Sequence, residues 1–326
     1  MTNDKLPHRL AWTLAVATFP LIWMGGLVTT YGAGMAVPDW PNTYGYNLFL
    51  YPLESWLGVW DVFLEHSHRL IGATVGLITI GLAVALWMAD ARTWMRRMGV
   101  VALIGVCFQG TLGGLRVVGD DLLLAKIHGC TAPVFFGLAA AIVAWTSPAW
   151  LQTPRENHPA AKRTRRLAAI LTLGIYVQIV LGAQLRHLPP YADVFWFKLW
   201  VWLHLIVAGL VLAAVVWMAV HARRHLGGRP ILARRVRLLF ILFLIQLLLG
   251  VATWLTNYGW PAWFTTYIWP IEYTVVAESR LQALSTTAHV AVGSLSLIAA
   301  LSLTLWSARL LRAPDQSKIQ NPKSKI

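Results

Sequence analysis

The chain has 326 residues, of which 57% are hydrophobic and only 12% are charged, and it contains 18 tryptophans. Water-soluble domains average about 45–50% apolar and about 25% charged residues, so this composition excludes an ordinary soluble enzyme and indicates a polytopic membrane protein. The excess of 27 Lys and Arg over 13 Asp and Glu raises the question of a nucleic-acid partner, which the positions of the charges answer.

Eight apolar runs are long enough to cross a bilayer, which requires about 20 residues of helix. They predict an all-α fold with eight transmembrane helices at 10–30, 69–89, 95–115, 125–146, 167–185, 198–220, 236–255 and 284–308. The first run lacks a small-residue cleavage site, so we interpret it as a retained helix rather than a signal peptide. An even number of helices places both termini on one side of the membrane.

The basic residues concentrate on that side. Of the 27, 21 lie at the termini or in the loops that follow even-numbered helices. The positive-inside rule therefore predicts that both termini are cytoplasmic, in a bacterial inner membrane. Because topology accounts for the charge, no nucleic-acid partner is expected. The outer loops at about 31–66 and 256–283 are long and rich in aromatic residues. Such loops are typical of aromatic belts at the membrane interface or of functional lids that cover a site.

Four histidines stand at similar positions of the even-numbered helices. They are His68, His128, His204 and His289, each at or near the outer end of its helix and each followed four residues later by Gly or Ala. The odd-numbered helices repeat as well, since Gln109, Gln178 and Gln246 each precede a glycine by four residues. The pattern predicts two pseudo-equivalent four-helix bundles at 10–147 and 167–310, a cytoplasmic linker at 148–166 and a polar tail at 311–326.

Histidines at one membrane depth on facing helices can provide both axial ligands of a haem iron. The natural pairs are His68 with His128 and His204 with His289. Two alternatives remain open: neutral imidazoles satisfied by neighbouring helices, and a zinc site, although zinc favours cysteine or carboxylate ligands and tetrahedral closure. Five outer cations suit haem propionates or snorkel to the lipid interface. They are Arg69, Arg116, Lys126, Arg186 and Lys198.

Only the first pair has a nearby acid. Glu65 precedes His68 by three residues, whereas Thr286 precedes His289 and Val201 precedes His204 at the same spacing. A carboxylate beside a bound cofactor is a candidate acid/base group, and its alternative role is to complement the helix dipole. This asymmetry predicts chemistry in the first bundle and a resident redox haem in the second.

Several motifs together resemble the haem A synthase family over residues 10 to 310. They are the segment 25–29 (GGLVT), the loop 34–41 (GMAVPDWP), the run 65–69 (EHSHR) and the Gln-Gly helices with their four histidines. The first outer loop has no cysteines: Val37, Thr43 and Tyr44 stand in the stretch where many bacterial members of this family carry a cysteine pair. A mechanism that uses such a pair is therefore closed to this chain.

The resemblance implies an enzyme that oxidises the C8 methyl of haem O to a formyl group, giving haem A for terminal oxidases. It implies that His68 and His128 flank the substrate haem, that His204 and His289 ligate a haem b cofactor, and that Glu65 is catalytic. Haem O synthase, terminal oxidase assembly factors and membrane lipid are the implied partners. Two other classes stay open, a two-haem b-type electron carrier and a non-catalytic haem-handling protein.

Overall fold

The computed structural model describes residues 5–189, 191–271 and 274–314. Within these ranges the helices are α1 (Leu6–Thr30), α2 (Leu53–Gly58), α3 (Trp60–Ala89), α4 (Thr93–Val118), α5 (Leu122–Thr146), α6 (Pro148–Gln152), α7 (Ala161–Arg186), α8 (Val194–His225), α9 (Pro230–Tyr258), α10 (Ala262–Tyr267) and α11 (Arg280–Leu310). A short 3-10 helix occupies Ala33–Met35, and two strands of two residues each complete the set, β1 (Glu156–Asn157) and β2 (Leu311–Arg312).

Among the described residues, eight helices are long and apolar enough to span a membrane: α1, α3, α4, α5, α7, α8, α9 and α11. The prediction of an all-α, eight-helix membrane protein is confirmed. The predicted boundaries differ from the observed ones by several residues, and the largest difference is at α3, because residues 60–66 belong to this helix and not to the first outer loop. The run at 65–69 is too polar to register as part of an apolar span, yet it is helical.

The spanning helices pack into two closed rings. In the first bundle each helix contacts the next in the order α1, α3, α4, α5 and back to α1, and in the second the order is α7, α8, α9, α11 and back to α7. Helices α5 and α11 meet at the boundary between the bundles, where α11 also contacts α1. Burial agrees with this placement, since α5 and α11 bury 44% of their most apolar stretches and the other spans at most 28%.

Each bundle has its own apolar core. Leu14, Leu82, Met95 and Ile142 are fully buried in the first, and Leu171, Met218, Leu239 and Leu303 are fully buried in the second. Both cores lie towards the side that holds the chain termini, which we call the inner side. The opposite, outer half of each bundle contains the histidines. The apolar core therefore holds the helices together on the inner side and does not occupy the space between the histidines.

The inner side also carries a short strand pair that joins the linker to the end of the second bundle. Strand β1, which lies between α6 and α7, pairs in parallel with β2, which directly follows α11. The backbone amide of His158 then donates to the carbonyl of Arg312 at 2.8 Å. The segment interpreted as a linker, 148–166, thus contains α6, β1 and the start of α7, and 311–312 belongs to β2. Residues 315–326 of the predicted tail lie outside the described residues.

Candidate haem-binding site

The four histidines form two pairs across the bundles. The ring centroids of His68 on α3 and His128 on α5 lie 6.5 Å apart, with their planes at 86°. His204 on α8 and His289 on α11 lie 6.3 Å apart, with an angle of 63°. In each ring of helices the two bearing a pair stand diagonally, so each pair bridges the middle of its bundle.

These distances match the spacing of two imidazoles that share one metal ion. Metal–imidazole bonds in proteins are about 2 Å long, which places the centres of two opposed rings slightly more than about 6 Å apart. Imidazoles that satisfied each other by a direct hydrogen bond would instead approach through nitrogen atoms about 3 Å apart. No hydrogen bond joins the partners of either pair among the described residues.

The ring nitrogens are unsatisfied in a consistent way. All four Nδ1 atoms are buried without a hydrogen bond of ordinary geometry to any described residue, and each histidine as a whole is only partly buried. Backbone groups of Leu21, Gln109 and Gln246 lie within reach of three of the rings, those of His68, His128 and His289. The Nε2 atoms of His68, His128 and His204 are not among the buried unpaired atoms, which places them on the accessible side of the ring. Buried polar groups are nearly always paired in native proteins. Within the described part of the chain, the Nε2 atoms of His68, His128 and His204 have no partner, and that of His289 has only the Gln246 amide at 3.4 Å, so each pair has ring nitrogens available to a group bound between its rings.

Each imidazole rests on a glycine of the preceding spanning helix. A Cβ atom at these glycines would lie between 3.0 and 3.3 Å from the histidine Cε1. The contacts are Gly25 with His68, Gly113 with His128, Gly182 with His204, and Gly250 with His289. A side chain there would push the ring away, so glycine sets how closely the helices approach.

The small residues four positions after the histidines have other neighbours. A Cβ at Gly72 would lie 3.8 Å from Leu21, and one at Gly293 would lie 3.2 Å from the Gln246 side chain. The periodicity within a helix identified a common face, and only the packing of neighbouring helices shows which glycine receives the ring.

The glutamines tie the helices together. Gln109 donates to the hydroxyl of Thr131, three residues beyond His128, at 2.5 Å, and Gln178 donates to the backbone carbonyl of His204 at 2.9 Å. The Gln246 amide lies 3.4 Å from Nε2 of His289. Each of these contacts joins two neighbouring helices. The first helix has Leu21 at the matching position, so the helix of His68 lacks this tie.

Glu65 is held rigidly beside the first pair. One carboxylate oxygen accepts from the Arg69 guanidinium at 2.7 Å, and the other accepts from the backbone amide of Val37 at 2.8 Å. The residue is 1% exposed, and charge-assisted bonds of this kind are stronger than neutral ones. The carboxylate predicted to be catalytic thus also connects α3 to the first outer loop.

Arg69 extends the same connection. Its Nη1 donates to the carbonyls of Asp39 and Asn42 at 2.6 and 2.8 Å, and its Nη2 donates to the carbonyl of Val37 at 2.7 Å as well as to Glu65. All four terminal N–H bonds are therefore used within the protein. The structure assigns Arg69 to the loop, and its predicted contact with a propionate stays a prediction.

The first outer loop packs directly over the first pair. A Cβ at Gly114 would lie 2.2 Å from the Trp40 indole, and one at Gly34 would lie 2.5 Å from the Arg116 guanidinium. Gly114 directly follows Gly113, the glycine that receives His128. The two neighbouring glycines therefore contact the His128 imidazole and the Trp40 indole, respectively. The Trp40 indole thus fixes the first outer loop on α4.

Asp39 stabilises the turn that follows Trp40. Its two carboxylate oxygens accept from the backbone amides of Tyr44 and Gly45, each at 2.8 Å. Partial burial alone raises the pKa of Asp39, but these amide hydrogen bonds and the nearby Arg69 hold it below its ordinary value. The hydroxyl of Tyr44 in turn donates to the carbonyl of Ala36. The turn is therefore a compact, internally bonded unit.

The remaining predicted cations differ in position. Arg116 lies within electrostatic range of Glu65, Arg69 and both histidines of the first pair. The amino group of Lys126 on α5 lies 3.5 Å from the side-chain oxygen of Gln184 on α7, and Arg186 donates to α1. Lys198 is exposed near the start of α8. Among the described residues, Arg116 is thus the predicted cation that lies beside the first pair and whose side chain makes no hydrogen bond.

Zinc is disfavoured by the ligand set. The described residues contain no cluster of three or more His, Cys, Asp or Glu side chains able to hold a metal ion. The two cysteines are free, Cys107 on α4 and Cys130 on α5, and neither is in the first outer loop. Two opposed imidazoles alone suit the axial positions of a haem, in which the porphyrin supplies the other ligands.

Comparison with known proteins identifies the family. Residues 59–266 match a family model described as cytochrome oxidase assembly protein. The chain is similar to haem A synthases of an Exiguobacterium species (27% identity over 72% of this chain and 78% of the relative), of Exiguobacterium sibiricum (28%, over 77% and 86%) and of Mesorhizobium japonicum (26%, over 78% and 83%). The family model covers more than half of the chain, which therefore belongs to the haem A synthase family.

Proposed function

We propose that this chain is a membrane enzyme of haem A biosynthesis that oxidises the C8 methyl of haem O to a formyl group. The substrate haem lies between His68 and His128, and a resident haem b lies between His204 and His289. One observation carries the proposal: both pairs have the spacing of a shared iron, and only the first has a buried carboxylate and a packed loop beside it.

The residues of the second pair fit a haem b. The two imidazole rings lie 6.3 Å apart, and each rests on a glycine that lets a flat ring approach the helix. When bound there, the haem supplies one-electron transfer. The contribution of the protein is to fix the two rings and to keep the pocket apolar.

The first pair orients the substrate. His68 and His128 hold the iron from opposite sides, which leaves rotation of the macrocycle to be fixed by contacts at its edge. Arg116 is the cation placed to receive a propionate, because it lies near both rings and near the loop. Fixing one methyl group against the reacting position is the entropic part of catalysis.

Glu65 and the loop supply the chemistry around that methyl. Conversion of a methyl to a formyl group breaks C–H bonds, takes up one oxygen atom from water and releases protons and electrons, and the electrons must pass to an external acceptor. The buried carboxylate accepts protons in these steps, and the bonds from Arg69 and Val37 hold it in one orientation. The Trp40 indole on Gly114 closes the pocket towards the outer aqueous phase. Exclusion of water strengthens the electrostatic interactions within the site and limits side reactions.

The arrangement disfavours a transmembrane electron carrier. All four histidines lie within the first three turns of α3, α5, α8 and α11, helices that all start on the outer side. A carrier that moves electrons across the bilayer places its haems near both faces. A non-catalytic haem-handling protein has no use for a carboxylate fixed beside one pair only.

Topology and partners follow from the same proposal. The basic inner side places both termini in the cytoplasm and the haem pairs towards the outer face of a bacterial inner membrane. Haem O synthase is then the source of the substrate, and assembly factors of a terminal oxidase receive the product. Both exchanges occur within or beside the lipid phase, because haem O carries a long apolar tail.

The decisive experiment supplies the chain with haem O. The chain is expressed in a bacterial strain that makes haem O and lacks its own haem A synthase, and the extracted haems are separated by chromatography. Haem A or its alcohol intermediate is expected with this chain and not with an empty vector. A purified protein that carries haem, but whose host makes neither product, would contradict the enzymatic proposal and favour a carrier or a handling protein.

A further inference from the structure

One charged side chain crosses the boundary between the two bundles. Arg186 is the last residue of α7, in the second bundle, and its Nη2 donates to α1 in the first. The acceptors are the backbone carbonyl of Gly26 at 2.6 Å and the hydroxyl of Thr30 at 2.7 Å. Gly26 directly follows Gly25, which receives the His68 ring.

The other terminal nitrogen of this guanidinium is unsatisfied. Nη1 of Arg186 is buried and has no hydrogen-bond partner. The ion pairs among the described residues involve Arg69, Arg92 and Arg229, so Arg186 has no carboxylate partner there. A buried charge without a counter-ion is strongly unfavourable unless another group compensates it.

A second unpaired group lies next to it. The Thr287 side chain on α11 packs against Gly26, where an added Cβ would lie 2.8 Å from its methyl group. The Thr287 hydroxyl is fully buried and has no partner. Two unsatisfied donors, a guanidinium and a hydroxyl, therefore flank the same glycine from the side of the second bundle.

The direction of the missing partner is indicated by the position of Arg186 on α7. Arg186 lies one helical turn after Gly182, which receives the His204 ring, so both lie on the same face of the helix, and Arg186 is also within electrostatic range of His289. An anion that reaches Arg186 from the second histidine pair must be carried by the group bound there. Arginine suits this role because its planar guanidinium stays charged and binds carboxylates through parallel N–H bonds.

We propose that the free N–H groups of Arg186 bind a propionate carboxylate of the haem held by His204 and His289. This inference rests on the proposed function, because it requires a haem at the second pair. The same guanidinium would then hold that haem through one nitrogen and the α1 backbone beside Gly25 through the other. Arg186 is thus a positioning residue shared by the two haem sites.

The test measures the oxidised-to-reduced equilibrium of the resident haem in purified, haem-loaded protein by spectroscopic redox titration. Arg186→Gln removes a buried positive charge next to the haem, so the oxidised form should be favoured at least tenfold, which is 59 mV for a one-electron couple. Arg280→Gln removes an exposed outer cation at the start of α11 and should change the equilibrium less than twofold.

Thr30→Val separates anion binding from helix anchoring. It deletes one bond between Arg186 and α1 but leaves the charge and the free N–H groups in place, so the equilibrium should change less than twofold. An equal shift in Thr30→Val and Arg186→Gln would overturn the proposal, because Arg186 would then act only as a strut. If Arg186→Gln does not accumulate, Arg186→Met serves instead, because it keeps a long apolar side chain and removes the charge. An unchanged equilibrium in that variant also overturns the proposal.

Failure of the proposed function would give results that differ from failure of the Arg186 proposal. Wild-type protein without a bis-histidine haem spectrum, or with one that survives His204→Ala, contradicts the assignment of the second pair. A normal spectrum that is lost in His204→Ala, together with an Arg186→Gln equilibrium within twofold of the wild type, contradicts only the role of Arg186.

Discussion

The two bundles have nearly the same imidazole geometry and different surroundings. The ring distances are 6.5 and 6.3 Å, and every ring rests on a glycine of the preceding spanning helix. Three residues before the histidine, however, the first bundle has the charged Glu65 and the second has Thr286, whose hydroxyl accepts from Asn257 at 3.2 Å. Duplicated helices thus retain a common binding geometry, while the chemistry is determined by the residues around it.

The space available to an outer loop beside the histidine pair also differs between the two bundles. In the first bundle the glycine under His128 is followed by Gly114, on which Trp40 packs. In the second bundle Gly182 is followed by Ala183 and Gly250 by Val251, so neither position offers the same space to an indole. We infer that the first bundle has a pocket closed over a reacting substrate and that the second has a pocket for a permanent cofactor.

Loss of an iron ligand should give the largest difference in effect between the two bundles. His68→Ala removes one axial ligand of the substrate haem, so conversion of haem O should fall below detection, by more than about a thousandfold. The spectrum of the resident haem should stay unchanged. His204→Ala should instead remove that spectrum. Both are read from extracted haems and reduced-minus-oxidised spectra, and a His68→Ala protein without its resident haem would end the division of roles.

Glu65→Gln tests whether the difference in charge matters. Glutamine keeps the size of the side chain and an oxygen that accepts from the Val37 amide, but it cannot exchange a proton. Conversion should fall by about a hundredfold or more, within the range typical of general acid–base groups, while haem content stays the same. Thr286→Val, the matched change in the second bundle, should alter conversion less than about threefold. Equal activity of Glu65→Gln and the wild type would leave Glu65 with a purely structural role.

The sequence predicted most of the fold because membrane spans are read from composition alone. It also identified the histidine pairs, since repetition across four helices carries more information than any single residue. The glycine contacts were missed because they form between helices, and spacing within one helix cannot show them. The multiple bonds of Arg69 were missed for a related reason: three of its acceptors are backbone carbonyls in a loop, which have no signature in the side-chain pattern.

Gly114→Ala should loosen the loop without touching a ligand. The added methyl would overlap the Trp40 indole, from which an ideal Cβ is only 2.2 Å away, so the loop must shift from α4. We expect conversion to fall about tenfold, as for displaced lids that exclude water, with both haems still bound. Ala183→Ser, a change of similar size at the matching position of α7, should leave conversion within about twofold. Full activity of Gly114→Ala would show that the packing of Trp40 is not needed for closure.

The smallest effect is expected at the turn behind Trp40. Asp39→Asn keeps one acceptor oxygen but loses the second, so one backbone amide of the turn is left unsatisfied and conversion should fall about two- to fivefold. Because the pKa of Asp39 lies below its ordinary value, its contribution to loop order is present above the pKa of a free aspartate, about 3.9, and is lost as the pH falls through the lower folded-state value. Asp39→Asn and wild type should therefore keep a constant activity ratio between about pH 6 and 8. The control is Asp193→Asn, which makes the same change in the second bundle, at the N-cap of α8, where the carboxylate accepts from the Phe195 amide. If this variant lowers conversion as much as Asp39→Asn, the stability of the turn matters equally in both bundles. The difference between the bundles would then lie in Glu65 alone.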